Sequence, residues 1–112
     1  MTPQEIFDKV ATHLLTQNAK SQDLLGGTCL YRGSKGLTCA VGCLISDEAY
    51  AKGMEGSAFT NLMEVWSMRL PVWFPANQQL LAALQRCHDS LDVDHWRSRL
   101  AEIADDFGLE FK

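Results

Sequence analysis

Residues 28–50 read TCLYRGSKGLTCAVGCLISDEAY, a stretch that includes the least polar part of the first half of the chain. It holds Cys29, Cys39 and Cys43, three of the four cysteines of the chain. Thr28 to Arg32 and Leu37 to Val41 are strand-like runs on either side of Gly33-Ser34-Lys35-Gly36. The spacing predicts an antiparallel hairpin with Leu30 opposite Cys39 and Tyr31 opposite Thr38. Side chains alternate across a strand, which turns Cys29 away from Leu30 and Cys39. Cys39 and Cys43 share a face in either regular structure, because a spacing of four is even and is also about one helical turn.

Upstream, Thr2-Pro3-Gln4-Glu5 carries a cap, a proline at the first helical position and a glutamate three residues after the cap. These are the parts of a capping box, and they predict a helix to about Asn18 with Ile6, Phe7, Val10, Ala11 and Leu14 facing the core. His13 sits at the edge of that stripe. Residues 19–27 form a polar linker ending in Gly26-Gly27. Downstream, Ser46-Asp47-Glu48 predicts a short helix closed by Gly53, and Ser57 predicts the cap of another with Phe59, Leu62, Met63 and Trp66 along one face. The run Arg69 to Pro75, RLPVWFP, has prolines at both ends of a four-residue interval and predicts a loop in place of a helix. Asn77 to Leu91 and Asp92 to Phe107 then predict a helical hairpin, with Gly108 as terminator and Leu109 and Phe111 folding back on it. The expected architecture is α+β: a single domain over residues 1–112, mostly helical with about five helices, packed around the two-stranded hairpin.

The chain has 112 residues, 46% of them hydrophobic, enough for one core. Its net charge is -4, divided as -1 over residues 1–56 (five basic against six acidic) and -3 over residues 57–112 (five against eight). Phosphate neutralisation needs a basic footprint, so nucleic acid is a disfavoured partner. The first ten residues carry Glu5 and Asp8 and no apolar segment, and no run is long enough for a membrane span. The expected compartment is the cytoplasm, where cysteines stay reduced.

Four cysteines raise zinc first, with Cys29, Cys39, Cys43 and either Cys87 or His88 as ligands. The gaps of nine, three and forty-three residues do not match the paired spacing of structural zinc sites, so buried thiols are expected and no metal or cofactor. Cys87-His88-Asp89 has the composition of a relay, yet neighbours on a helix diverge by about 100° and are not expected to form one. Gly33-Ser34-Lys35-Gly36 lacks the residue order of a phosphate loop. Arg32 and Lys35 are expected at a solvated hairpin tip. No residue is assigned a catalytic role. The surfaces singled out for a protein partner are the tip, at Tyr31, Arg32 and Lys35, the RLPVWFP loop, at Val72, Trp73 and Phe74, and the acidic last helix.

The run CLYRGSKGLTCAVGCLISDEAY, with the later Met-Glu-Gly turn, LLAALQRCHD and a last helix bearing a tryptophan, resembles small proteins of bacterial genomes, phages and prophages. The resemblance implies a mobile-element setting, in which small acidic proteins serve as accessory factors or as inhibitors of host systems, anti-CRISPR proteins among them. The function expected is therefore a non-enzymatic protein-binding module acting by surface contact, alone or as a homodimer. The alternative is a small cysteine-dependent or zinc-stabilised enzyme centred on Cys39 and Cys43.

Overall fold

Tyr31 and Arg32 do not give their backbone N–H groups to a neighbouring strand. In the computed structural model, which describes residues 1–22 and 29–111, both donate to the Glu55 carboxylate, at 2.8 and 3.1 Å. On the other side of the turn, Gln17 holds Thr38 as a strand partner would: its Oε1 accepts from the Thr38 N–H at 3.1 Å and its Nε2 donates to the Thr38 carbonyl at 2.9 Å. Gln85 accepts the Val41 N–H at 2.9 Å. Side chains from three remote parts of the chain thus satisfy the groups that a ladder would have used.

The expected hairpin is consequently absent among the described residues, which contain no β-strand, only the isolated antiparallel bridges Gln22 to Cys29 and Arg32 to Thr38. The α+β assignment is corrected to an all-helical one. Register is corrected with it: Thr38 lies opposite Arg32, one residue from the expected Tyr31. The cause is the turn, closed by Gly33 N–H to the Leu37 carbonyl at 2.8 Å and holding a 3₁₀ turn over Ser34–Gly36, so three residues lie inside the closing bond where four were expected. Lys35 and Gly36 are left-handed there, at φ 59° and 74°. Past Cys39 the backbone coils, with a 3₁₀ turn at Gly42–Leu44. Gly42 permits this, since a Cβ would stand 2.1 Å from the Tyr31 carbonyl oxygen.

Helix α1 spans Pro3–Gln17 and carries the capping box in full: the Thr2 hydroxyl accepts from the Glu5 N–H at 3.2 Å and the Glu5 carboxylate from the Thr2 N–H at 2.9 Å. Its apolar stripe is buried, and Asn18 ends it in the left-handed conformation. The short helix expected after Ser46 is only one turn, with Ala49 and Tyr50 N–H bonding back to the Ser46 carbonyl. Helix α2, Phe59–Trp66, buries Phe59, Leu62 and Met63; Ser57 does not cap it, because the N-cap position falls on Ala58, and the Ser57 carbonyl accepts from the Tyr31 hydroxyl at 2.7 Å. RLPVWFP is not simply a loop, since α3, Trp73–Ala76, makes one turn with Pro75 inside it, where no N–H is needed. Helix α4 runs Gln78–Ser90 and α5 Trp96–Asp106; α4 and α5 pack together and α1 lies against both. The chain then returns to α1 through Phe111, edge-on to Phe7 at 5.5 Å, and through a mutual backbone-to-amide pair between Glu110 and Gln4.

The linker expected over 19–27 and the first strand expected from Thr28 lie, over residues 23–28, outside the described residues. The buried apolar side chains form one cluster, with Phe7, Leu81, Leu84, Trp96 and Leu100 among its fully buried members.

Candidate functional site

Three places in this fold carry chemistry that packing alone does not require. The first is the turn region. Arg32 lays its guanidinium over the Tyr50 ring at 4.4 Å, donates from Nη2 to the Ile45 carbonyl at 3.1 Å and meets Asp47 from Nη1 at 2.7 Å. Tyr50 donates its hydroxyl to Glu55 at 2.6 Å. Burial, followed by the Glu55 carboxylate, pushes the Tyr50 phenol up to about 12. Glu55 therefore accepts from two backbone N–H groups and one phenol, and it fixes the base on which Arg32 stands. Of the tip residues singled out from sequence, Tyr31 is buried in the core, Arg32 is half-buried and Lys35 is exposed.

The second place lies along α4, where Gln85, His88 and Asp89 project to one side. His88 is fully buried. Its Nε2 accepts the Ser21 backbone N–H at 2.9 Å, and since that group can only donate, the ring proton resides on Nδ1. Nδ1–H then donates to Asp89 at 2.7 Å, and Gln85 donates to both Asp89 oxygens at 3.0 and 3.1 Å. His88 and Asp89 are thus bonded although they are neighbours on the helix. Asp89 is the penultimate residue of α4. Cys87 is not part of the group and points to the Trp96 carbonyl.

Cys29, which the spacing had turned away from the other thiols, completes a cluster with His88 and Asp89, the three donor atoms lying within 4.8 Å of one another. Neither chemistry suggested by that composition fits the wiring. A histidine bound to metal through Nδ1 keeps its proton on Nε2 and donates from it. Here Nε2 faces a donor. A cysteine nucleophile needs a histidine lone pair beside it and a lowered pKa. The His88 lone pair is held by Ser21, and burial, with the nearby Asp89 charge, pushes the Cys29 thiol up. The group is a polar tie between Ser21 and helix α4. The other described cysteines are not part of that cluster, and burial pushes Cys39 up to about 12, Cys43 up to about 11 and Cys87 up to about 11. Cys43 donates to the Ala40 carbonyl and the Cys39 sulfur accepts from the Gly42 N–H, so the pair singled out from sequence is held in its own turn.

The third place is the edge that runs from α2 into α3. Val65, Met68 and Val72 are 71, 95 and 92% exposed, while Leu70 and Phe74 between and beyond them are buried. Trp66 and Trp73 are half-buried beside the edge, Trp73 against Phe74 at 4.9 Å. The aromatic loop singled out from sequence is therefore divided: Phe74 belongs to the core, Trp73 to its margin and Val72 to the surface. Val65 and Met68 were missed: Val65 stands three residues after the buried Leu62, a spacing that places the two near one face, so no periodic signal marked it as exposed. The acidic last helix keeps Glu102, Asp105 and Asp106 exposed, with Arg99 3.8 Å from Glu102.

Among the described residues no helix is long and apolar enough to cross a membrane. Comparison with protein-family models, with curated proteins and with solved structures finds no match.

Proposed function

We propose that the chain is a protein-binding module acting by surface contact, with the edge formed by Val65, Met68 and Val72 as its contact patch. The supporting observation is their exposure: three of the five exposed large apolar side chains among the described residues fall within eight consecutive positions. Water penalises such a surface by about 25 cal/mol per Å² of apolar area, and a partner that covers it recovers that amount. Arg69 is the one charged residue between Val65 and Gln79. It is exposed, and its guanidinium lies 6.0 Å from the Trp66 ring.

The occupant that matches is another protein offering an apolar groove with a carboxylate placed for Arg69. A second copy of this chain is the less favoured occupant, because each copy carries a net charge of -4. The likeness to phage and prophage proteins gives such a binder the role of an accessory factor or an inhibitor of a host system, of which anti-CRISPR proteins are examples; that role rests on the likeness alone.

A photo-crosslinking amino acid in place of Met68 tests the reading in bacterial lysate. The expected result is one adduct whose partner peptide combines apolar residues with Asp or Glu, and which is lost when Arg69→Glu is added. Adducts between copies of this chain would replace the partner with a dimer, and indiscriminate adducts that survive Arg69→Glu would overturn the patch.

A further inference from the structure

A cleft of about 500 Å³ opens between α1 and the Gly33–Leu37 turn, walled by Lys9, His13, Arg32 and the backbone of Gly33 and Gly36, with Asp47 on its lining as well. Its size is that of a small-molecule site, for which about 300 to 1,000 Å³ is usual. The charge on its lining opposes that of the chain: Lys9 and Arg32 stand against Asp47, a surplus of +1 in a chain of net -4.

Arg32 is the group that points to a ligand. Its Nε is buried and has no hydrogen-bond partner among the described residues. The Nη1 edge is occupied by Asp47, whose side chain is 89% exposed. An ion pair with one partner so exposed is held weakly, so an incoming anion displaces it at little cost. The Asp47 carboxylate thus marks where one anionic oxygen sits on the guanidinium, at Nη1, while the Tyr50 ring and the Ile45 carbonyl keep the guanidinium in place. Gly33 and Gly36 put backbone in the wall with no side chain over it. Lys9 adds a second cation from α1, and two cations match the charge of a phosphate better than that of a monocarboxylate.

We propose that this cleft binds a phosphate-bearing small molecule, the phosphate replacing the Asp47 carboxylate on Arg32 and Lys9 supplying the second positive charge. The site is separate from the apolar edge and does not depend on it.

The test is an amide NMR titration of the full chain with inorganic phosphate, adenosine monophosphate and acetate, each at fixed ionic strength. Saturable shifts confined to Lys9, Gly33, Gly36 and Asp47 are expected with phosphate or the nucleotide and not with acetate. Saturation by phosphate and the nucleotide alike identifies the phosphate itself as the ligand group, and tighter binding of the nucleotide identifies an organic phosphate. Asp47→Asn is expected to tighten binding and Lys9→Ala to weaken it, each by roughly three- to tenfold, the scale of a single partly screened charge. Both positions are exposed, so the fold is retained. Absence of saturable shifts, equal response to acetate, or affinity unchanged in both variants would overturn the proposal.

Discussion

The Ser21 backbone N–H donates to His88 Nε2 across 67 residues at 2.9 Å, and both groups are fully buried. The ring is stacked on Trp96 at 5.5 Å, so His88 combines a packing role with a polar one. His88→Phe keeps an aromatic ring against Trp96 but strands the Ser21 N–H and removes a donor from Asp89. A buried group left unpaired costs about 1–3 kcal/mol, and that loss is the expected fall in unfolding free energy. Urea unfolding with an unchanged slope is the measurement. A loss below about 0.5 kcal/mol, the scale of neutral surface changes, would show that the bond contributes nothing.

Gly42 and Gly36 separate two reasons for a glycine. At Gly42 a Cβ would meet the Tyr31 carbonyl oxygen at 2.1 Å and its carbon at 2.9 Å, both backbone, so the two segments must move apart. At Gly36 the space is open and only the φ of 74° opposes a side chain. Gly36→Ala is expected to cost about 1–2 kcal/mol, the ordinary strain of a left-handed residue. Gly42→Ala is expected to exceed it clearly, at roughly 3 kcal/mol or more, the range of severe core overpacking. Chemical denaturation of the two variants side by side decides this. Equal losses would mean that the Tyr31 contact relaxes without cost.

What the sequence shows and hides follows from how far each interaction reaches. The capping box of α1 lies within four residues, and the stripes of α1, α2, α4 and α5 follow one helical period, so these were legible. The strand-like runs around Gly33-Ser34-Lys35-Gly36 were read as a hairpin because β-branched and apolar residues flank a glycine turn. Their fate was set by Gln17, Glu55 and Gln85, which reach the backbone of Thr38, Tyr31, Arg32 and Val41 from elsewhere in the chain, and no local pattern announces a side chain that will act as a strand. The polar tie shows the same limit at closer range. Gln85, His88 and Asp89 stand at i, i+3 and i+4, a spacing that places them on one face, but the string Cys87-His88-Asp89 drew attention to the wrong cysteine. That Cys29 would arrive there depended on a register that local residues did not set.

The raised thiols carry a pH dependence with a definite sign. Cys39, Cys43 and Cys87 are pushed by burial from 9.0 to about 12, 11 and 11. Between pH 9 and those values the unfolded chain has released protons that the folded chain retains, so stability falls as pH rises through that window and is unaffected by these groups below it. Tyr50, at about 12, adds to the same slope. A melting temperature that is level with respect to these thiols up to pH 9 and declines from there to pH 11 is the expected curve. At pH 8 a disulfide reagent should label the three thiols slowly in the native chain and rapidly in guanidinium. Fast native labelling of Cys39 would contradict its burial and revive a reactive role for the Cys39 and Cys43 pair.

Val72 and Phe74 stand two residues apart and face opposite fates, which makes them the sharpest pair for separating contact from core. Phe74 is fully buried, packed on Trp73 at 4.9 Å and near Phe59 at 6.5 Å. Phe74→Ala should cost about 3–5 kcal/mol, the usual loss for a buried aromatic, and any loss of binding it shows would follow unfolding. Val72→Ser removes an exposed side chain, so stability should stay within about 0.5 kcal/mol of the parent. If the edge from Val65 to Val72 is the contact patch, Val72→Ser and Met68→Ser should still weaken partner capture, by roughly 1 kcal/mol or more for a side chain near the centre of an interface. Calorimetric stability and crosslinking yield, measured on the same preparations, give the comparison. Full crosslinking in both serine variants with unchanged stability would remove the patch from the function and leave its exposure without a role.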